Sequence, residues 1–257
     1  MMRPAEGVRH RWLPRFGGVL AFAATELRVQ LHEALAIFTS MVVQVVLLVF
    51  VAILAPSYFG IALLGAIVFS AFSLGQRVLN EAAYIRVDHK LNELYLASPL
   101  TPEAYFLGIA VGVFLAYLPP VVGLVVIAEA VLRFPVVTAL LLAGLVLAVW
   151  LFAASMGYIL STAFHDMRAI WSYASLLYNL FGVLPPVFYP LGLWPAGLRP
   201  VALLLPPSAA AALLQNSLDP GLLAPPEIAL AAGAVGVAAF GLFLITVYWA
   251  RRSAQER

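Results

Sequence analysis

The sequence predicts an all-α polytopic membrane protein with six transmembrane helices, an N-terminal interfacial amphipathic helix, a short cytoplasmic helix and re-entrant helices on the outer side. Three observations carry this expectation. Hydrophobic residues make up 64% of the 257 and charged residues 10%, where soluble domains carry about a quarter charged, and the mean hydropathy is +1.01. The apolar residues come in runs of about twenty, enough helix to cross roughly 30 Å of hydrocarbon. The basic residues are shared unequally between alternate connections, as a fixed orientation in a membrane requires.

The first run, 34–54, is closed by Ala55-Pro56-Ser57, and the second, 58–78, by Asn80-Glu81. A polar stretch follows, and then a third run, 104–128, ended by Glu129 and Arg133 at the i,i+4 spacing of a helical ion pair. The fourth, 136–164, is parted by His165-Asp166-Met167-Arg168 from a fifth that reaches about Leu184. Pro185-Pro186 must stop that helix, because proline lacks the amide donor and clashes with the preceding turn. The sixth run, 228–250, opens after Glu227 and ends at Arg251-Arg252. The chain thus divides into a cytoplasmic or interfacial segment, 1–33, a transmembrane domain, 34–250, and a cytoplasmic tail, 251–257. A secretory signal is the competing reading of the first run, but the polar leader exceeds thirty residues and the apolar run is too long for a signal core.

Twelve of the fourteen basic residues fall before the first run, at the end of the second run and in the connection after it, in the fourth-to-fifth connection, and in the tail; Arg133 and Arg199 are the exceptions. The positive-inside bias therefore places both termini in the cytoplasm of a multi-pass cell-membrane protein, and an even number of spans follows. In the leader, Trp12, Phe16, Leu20, Leu27, Leu31 and Leu35 recur at helical spacing, while Glu26, Gln30, His32 and Glu33 lie mostly elsewhere around the helix. Such a helix, over 14–33, belongs in the bilayer interface in contact with membrane lipids.

Several classes of chemistry lack their parts. With no cysteine there are no thiolate metal sites or cysteine nucleophiles, and the four histidines all sit in connections or flanking segments. No HExxH or GxSxG occurs and no carboxylate pair lies within a run, so hydrolase chemistry is not expected. The single lysine, Lys90, follows His89 and not the glycine of a phosphate-binding loop, so ATP would have to be hydrolysed by another polypeptide. Basic residues flanking spans account for the net charge of +2, and no nucleic-acid partner is expected. Ion-coupled carriers place ionisable groups near the bilayer midplane, and the runs lack them.

The second-to-third connection is the most informative. Val87, Leu91, Leu94 and Tyr95 follow i, i+4, i+7, i+8 among Asp88, His89, Asn92 and Glu93, the pattern of a short amphipathic helix ended by Pro99. Thr101 then caps the next helix, with Pro102 at its first position and Glu103 in its first turn. The polar helix reads either as a solvated loop helix or as a receiver for a soluble partner.

The run Glu93-Leu94-Tyr95-Leu96-Ala97-Ser98-Pro99-Leu100-Thr101 resembles the segment before the third span in type-two permeases of ATP-binding-cassette exporters. Phe164-His165-Asp166 is similar to that family's Phe-Arg-Asp turn, and Pro186-Val187-Phe188-Tyr189-Pro190 to its Pro-Val-x-Tyr-Pro element. The chain departs at His165, where arginine is usual, and at Leu91-Asn92, which replace the Gly-Thr that often precedes the glutamate. The resemblance implies a membrane subunit that pairs with a second copy or a close relative and with two ATPase subunits, which would bind the ATP and magnesium; this chain would hold no cofactor. It further implies a coupling helix around Asp88, Leu91, Glu93, Leu94, Leu96 and Ala97, with Phe164 and Asp166 also facing the ATPase. Two other readings stay open: a non-transporting scaffold or assembly factor, and an ion-coupled secondary transporter.

Residues 185–226 hold ten of the eighteen prolines among apolar residues. Irregular backbone at membrane depth persists only where protein covers it or it lines a cavity, so short re-entrant helices are expected, one of them capped by Ser208, over an outer exit. Within the runs, Gln44, Ser70, Ser73, Tyr178 and Asn179 either line a substrate path or form interhelical hydrogen bonds. The substrate class left open is an amphipathic drug, a lipid or a lipid-linked glycan.

Overall fold

The structure, a computed structural model, describes residues 13–32, 34–39, 41–87, 101–163 and 166–255. Among these residues every regular element is helical. Helices α1 (Leu13–His32) and α2 (Ala34–Thr39) lead into α3 (Val42–Leu54), which a 3-10 turn (Pro56–Tyr58) joins to α4 (Phe59–Val87). Helices α5 (Pro102–Leu132), α6 (Val136–Ala163) and α7 (Met167–Val183) follow. Two 3-10 turns (Leu191–Leu193 and Ala196–Leu198) and α8 (Arg199–Leu203) then precede α9 (Pro206–Leu218) and α10 (Pro225–Gln255).

Among the described residues, five stretches are long and apolar enough to cross a membrane: Ile37–Leu54, Pro56–Val87, Pro102–Leu132, Val136–Ala163 and Pro225–Arg252. The fifth run of the sequence forms α7, whose 17 residues make about 25 Å of helix, short of the hydrocarbon thickness. Its limits are chemical. The Asp166 carboxylate accepts the Arg168 amide at 3.0 Å and starts the helix, and Pro185-Pro186 prevent its continuation. A sixth candidate comes instead from Ala196–Leu203 and Pro206–Leu218, two helical arms bent by 108° at their break.

Helix α4 is the hub. It packs most extensively on α6 and also contacts α3, α5, α7 and α9, and its residues Ala62–Phe72 are buried without interruption. The α4–α6 crossing is close enough for backbones to touch: a Cβ on Gly157 would lie 2.1 Å from the Gly75 carbonyl oxygen, and one on Gly75 would lie 2.2 Å from that of Ala153. Small residues at a crossing let dispersion act over the whole backbone surface, the main source of helix association where lipid removes the hydrophobic drive. Gly65 meets Val187 and Phe188 in the same way, which seats the Pro186–Pro190 element on α4.

The proline-rich segment is tied by its own side chains. The Tyr189 hydroxyl donates to the Leu184 carbonyl at 2.6 Å and accepts from the Trp194 indole at 2.9 Å. Arg199 donates to the carbonyls of Trp194 and Gly192. Helix α9 is buried from Pro206 to Gln215, among α4, α6 and α10.

Two local expectations are corrected. Ser208 does not cap α9: the helix begins two residues earlier at Pro206, because proline is preset for the first turn, and the Ser208 hydroxyl is buried without a partner. Glu129 and Arg133 are joined by a backbone bond from the Arg133 amide to the Glu129 carbonyl at 2.9 Å. Arg133 has left the helix with φ 47°, which turns its side chain off the helical i,i+4 track. By contrast, Thr101 caps α5 through the Ala104 amide at 3.3 Å, with Pro102 and Glu103 in the first turn as expected.

Candidate functional site

Two regions gather polar chemistry. The first is a stripe along α4 made by Ser70, Ser73 and Gln76, which at i, i+3, i+6 share one face. Gln44 of α3, almost fully buried, reaches the Ser70 hydroxyl at 3.5 Å. Ser70 in turn donates to the Ala66 carbonyl and Ser73 to that of Ser70. From α7, the Ser175 hydroxyl accepts the Gln76 amide at 3.0 Å, while Asn179 donates to the Ser175 carbonyl at 2.8 Å. Between α3 and α7 lies an open cleft of about 530 Å³, lined by Val42, Val46, Leu47, Leu180 and Val183, with Asn179 as its one polar lining residue. The structure therefore brings Gln44, Ser70 and Ser73 together and sets Asn179 at the cleft. Gln76 and Ser175 escaped the sequence reading, although the i, i+3, i+6 spacing on α4 was there to find Gln76.

Tyr178 does not join them. It is buried and donates to the Ala153 carbonyl at 2.9 Å, beside the Gly75–Gly157 crossing, so it packs α7 against the α4–α6 pair. Tyr178→Phe is expected to lower the thermal midpoint in detergent by about 2 °C, taking about 0.6 kcal/mol for such a bond in a membrane bundle. A differential melt of the two purified chains reads this directly, and a Phe variant as stable as the parent would contradict the packing role.

The second region is the end of the bundle where α4, α6 and α10 finish and α5 and α7 begin, the end richer in arginine. Arg86, in the last turn of α4, donates to the carbonyls of Ser161 and Thr162, which belong to the terminal turn of α6 and lack onward helical partners. The Trp249 indole of α10 donates to the Thr162 hydroxyl at 3.1 Å. Arg251 of α10 forms an ion pair with Glu103 of α5. Of the residues expected to face an ATPase, Asp166 is the α7 cap described above. Asp88, Leu91, Glu93, Leu94, Leu96, Ala97 and Phe164 lie outside the described residues.

Helix α1 packs on α5 next to this end. The seam is Gly108 against Phe22 and Gly112 against Glu26, where an added Cβ would lie 2.6 and 2.5 Å from those side chains. Phe22, Ala23, Glu26 and Gln30 are buried, while Phe16, Leu20, Leu31 and Leu35 point away from the bundle. Of the apolar stripe read from the sequence, Phe16, Leu20, Leu31 and Leu35 face outward, Leu27 packs against the cluster around Phe22, and Trp12 lies outside the described residues. The Glu26 carboxyl, 5% exposed, accepts from Gln30 at 2.8 Å. Burial and, to a lesser degree, the nearby Glu81 carboxylate outweigh the Gln30 bond and raise its pKa to about 7.

Because the docked carboxyl is neutral up to about pH 7 and the free one ionises near 4.5, docking of α1 is strongest below 4.5, weakens as pH rises to 7 and is constant above. The full difference is at most about 3 kcal/mol. Hydrogen-exchange protection factors for α1 should follow that profile, and Glu26→Gln should make them independent of pH. A Gln variant that keeps the profile would assign it to another group.

Comparison with models of known protein families and with curated proteins finds no match to this chain. Among the described residues no group of His, Asp and Glu side chains could hold a metal ion.

Proposed function

We propose that this chain is the membrane-spanning permease subunit of an ATP-binding-cassette exporter, embedded in the cell membrane with both termini cytoplasmic and driven by separate ATPase subunits. The observation that carries the reading is the placement of the three sequence elements relative to the helices. Residues 93–101 run directly into α5, residues 164–166 join α6 to α7, and residues 186–190 follow α7 at the opposite end. In chain order the first two segments adjoin helix termini at the arginine-rich end, where an ATPase would dock, and Val187 and Phe188 of the third are held against α4 at Gly65. Six crossings result when α7 is counted as the fifth, its 17-residue helix being followed by the turn at residues 184–189.

In this reading α1 lies in the interface with its outward apolar stripe in lipid, and the chain works beside a second copy or a close relative. The apolar cleft with Asn179 in its lining supports an amphipathic or lipid-like substrate over a freely soluble one. Closure of the ATPase pair would move the connection between α4 and α5 and tilt the helices attached to it.

The test is purification of the chain from its native membrane, followed by reconstitution of the eluate into phospholipid vesicles carrying a fluorescent-tailed lipid. An associated ATPase and ATP-dependent movement of the probe are expected. Movement that follows a proton gradient without an ATPase, or a stable partner with no movement at all, would replace this reading with a carrier or a scaffold.

A further inference from the structure

The contacts at the arginine-rich end form a continuous chain across four helices. Arg86 of α4 holds the terminal carbonyls of α6, Thr162 of α6 accepts Trp249 of α10, and Arg251 of α10 holds Glu103 of α5. Arg86 and Glu103 also bracket the connection between α4 and α5: one stands just before residues 88–100 and the other just after them. Both ends of that connection are therefore tied sideways, the first to α6 and the second to α10.

We propose that this belt makes the arginine-rich ends of α4, α5, α6 and α10 move as one unit, so that a force applied to the α4–α5 connection reaches α6 and α10 directly. The transport consequence rests on the permease reading; the mechanical claim does not. Geometry favours arginine at the first tie, because one guanidinium plane offers two parallel donors to the two adjacent carbonyls. The second tie is more exposed at Arg251 than at Glu103, with side-chain exposures of 58% and 17%. An exposed pair adds little stability, so its expected role is to set the relative position of two helix ends. The first and last ties have a common logic, joining a helix terminus, where carbonyls can accept or where a charge suits the dipole, to a side chain from a different helix; the middle tie is an indole-to-hydroxyl bond.

Two measurements test it. The chain has no cysteine, so Tyr84→Cys and Tyr248→Cys place one spin label on α4 and one on α10 in the full chain in vesicles. A narrow distance distribution is expected, broadened by Arg86→Ala and recovered in Arg86→Lys to the extent that lysine reaches the same carbonyls. Identical distributions in the parent and the Ala variant would overturn the belt, whatever the protein transports.

In the complex with its ATPase, Arg251→Glu is expected to lower probe movement per ATP hydrolysed by about fivefold, the lower range of site-to-site coupling. The exchanged pair Glu103→Arg with Arg251→Glu should restore it. Full coupling in the single variant, or none in the exchange, would refute transmission through this tie. Failure of the parent chain to recruit any ATPase would refute the permease reading while leaving the spin-label result to decide the belt.

Discussion

Gly157→Ala is expected to lower the thermal midpoint of the purified chain by roughly 3 to 10 °C, the shift that about 1 to 3 kcal/mol of overpacking produces in a chain of this size. The atom an added methyl would meet is the Gly75 carbonyl oxygen, at 2.1 Å, with the Tyr178 hydroxyl at 3.0 Å behind it. Neither is the free end of a flexible side chain: one is helix backbone, and the other is fixed by its bond to Ala153. Relief must come from moving α4 and α6 apart, and that interface is the most extensive in the bundle. Gly144→Ala on the same helix is the control. A methyl there meets nothing within 4 Å, so helix propensity alone should leave the midpoint unchanged or slightly higher. Equal melts for the two variants would mean that the crossing is looser than the structure has it.

That crossing also shows what the sequence could and could not disclose. Long apolar runs announce crossings because water is excluded as a solvent for them, and the starts and stops at Thr101-Pro102-Glu103 and Pro185-Pro186 follow from backbone chemistry within a few residues. Gly75 and Gly157, however, are 82 positions apart; that they meet depends on which helices become neighbours. The Gly108-x-x-x-Gly112 spacing on α5 was a readable sign of close helix approach, yet it does not say that α1 is the partner.

Helix α1 carries a different lesson. In water an apolar stripe turns toward the protein, but beside lipid the preference can reverse. Here Phe16, Leu20 and Leu31 face out, while Glu26 and Gln30 satisfy each other inside. The periodicity was legible; that Glu26 and Gln30 would be the polar residues buried against α5 was not. Arg86 belongs with the same class of omission. A basic residue at a span end reads as orientation, and its bond to the carbonyls of Ser161 and Thr162 follows from the finish of α6 beside it, a tertiary fact. Ser208 fails as a cap for a local reason, since Pro206 can open a helix without one.

If the chain is the permease subunit proposed above, Glu93→Arg and Leu94→Asp are expected to reduce ATPase stimulation and ATP-dependent transport by at least about tenfold while leaving insertion and melting intact, the loss typical of a central contact in a protein interface. Both residues stand in the polar connection that runs into α5, on a segment whose helical spacing puts Leu91, Leu94 and Tyr95 on one side with Glu93 adjoining. On the proposed permease reading work is received through this connection, so a reversed charge or an added carboxylate there should remove coupling without touching the bundle. Gly157→Ala does the opposite, disturbing the bundle and leaving the connection unaltered. A scaffold would lose partner recruitment in the same variants but would show no transport to lose, and an ion-coupled carrier would keep transport in all of them. Unchanged ATPase stimulation by Glu93→Arg and Leu94→Asp, in chains that still melt like the parent, would remove the α4–α5 connection as the point where the engine engages.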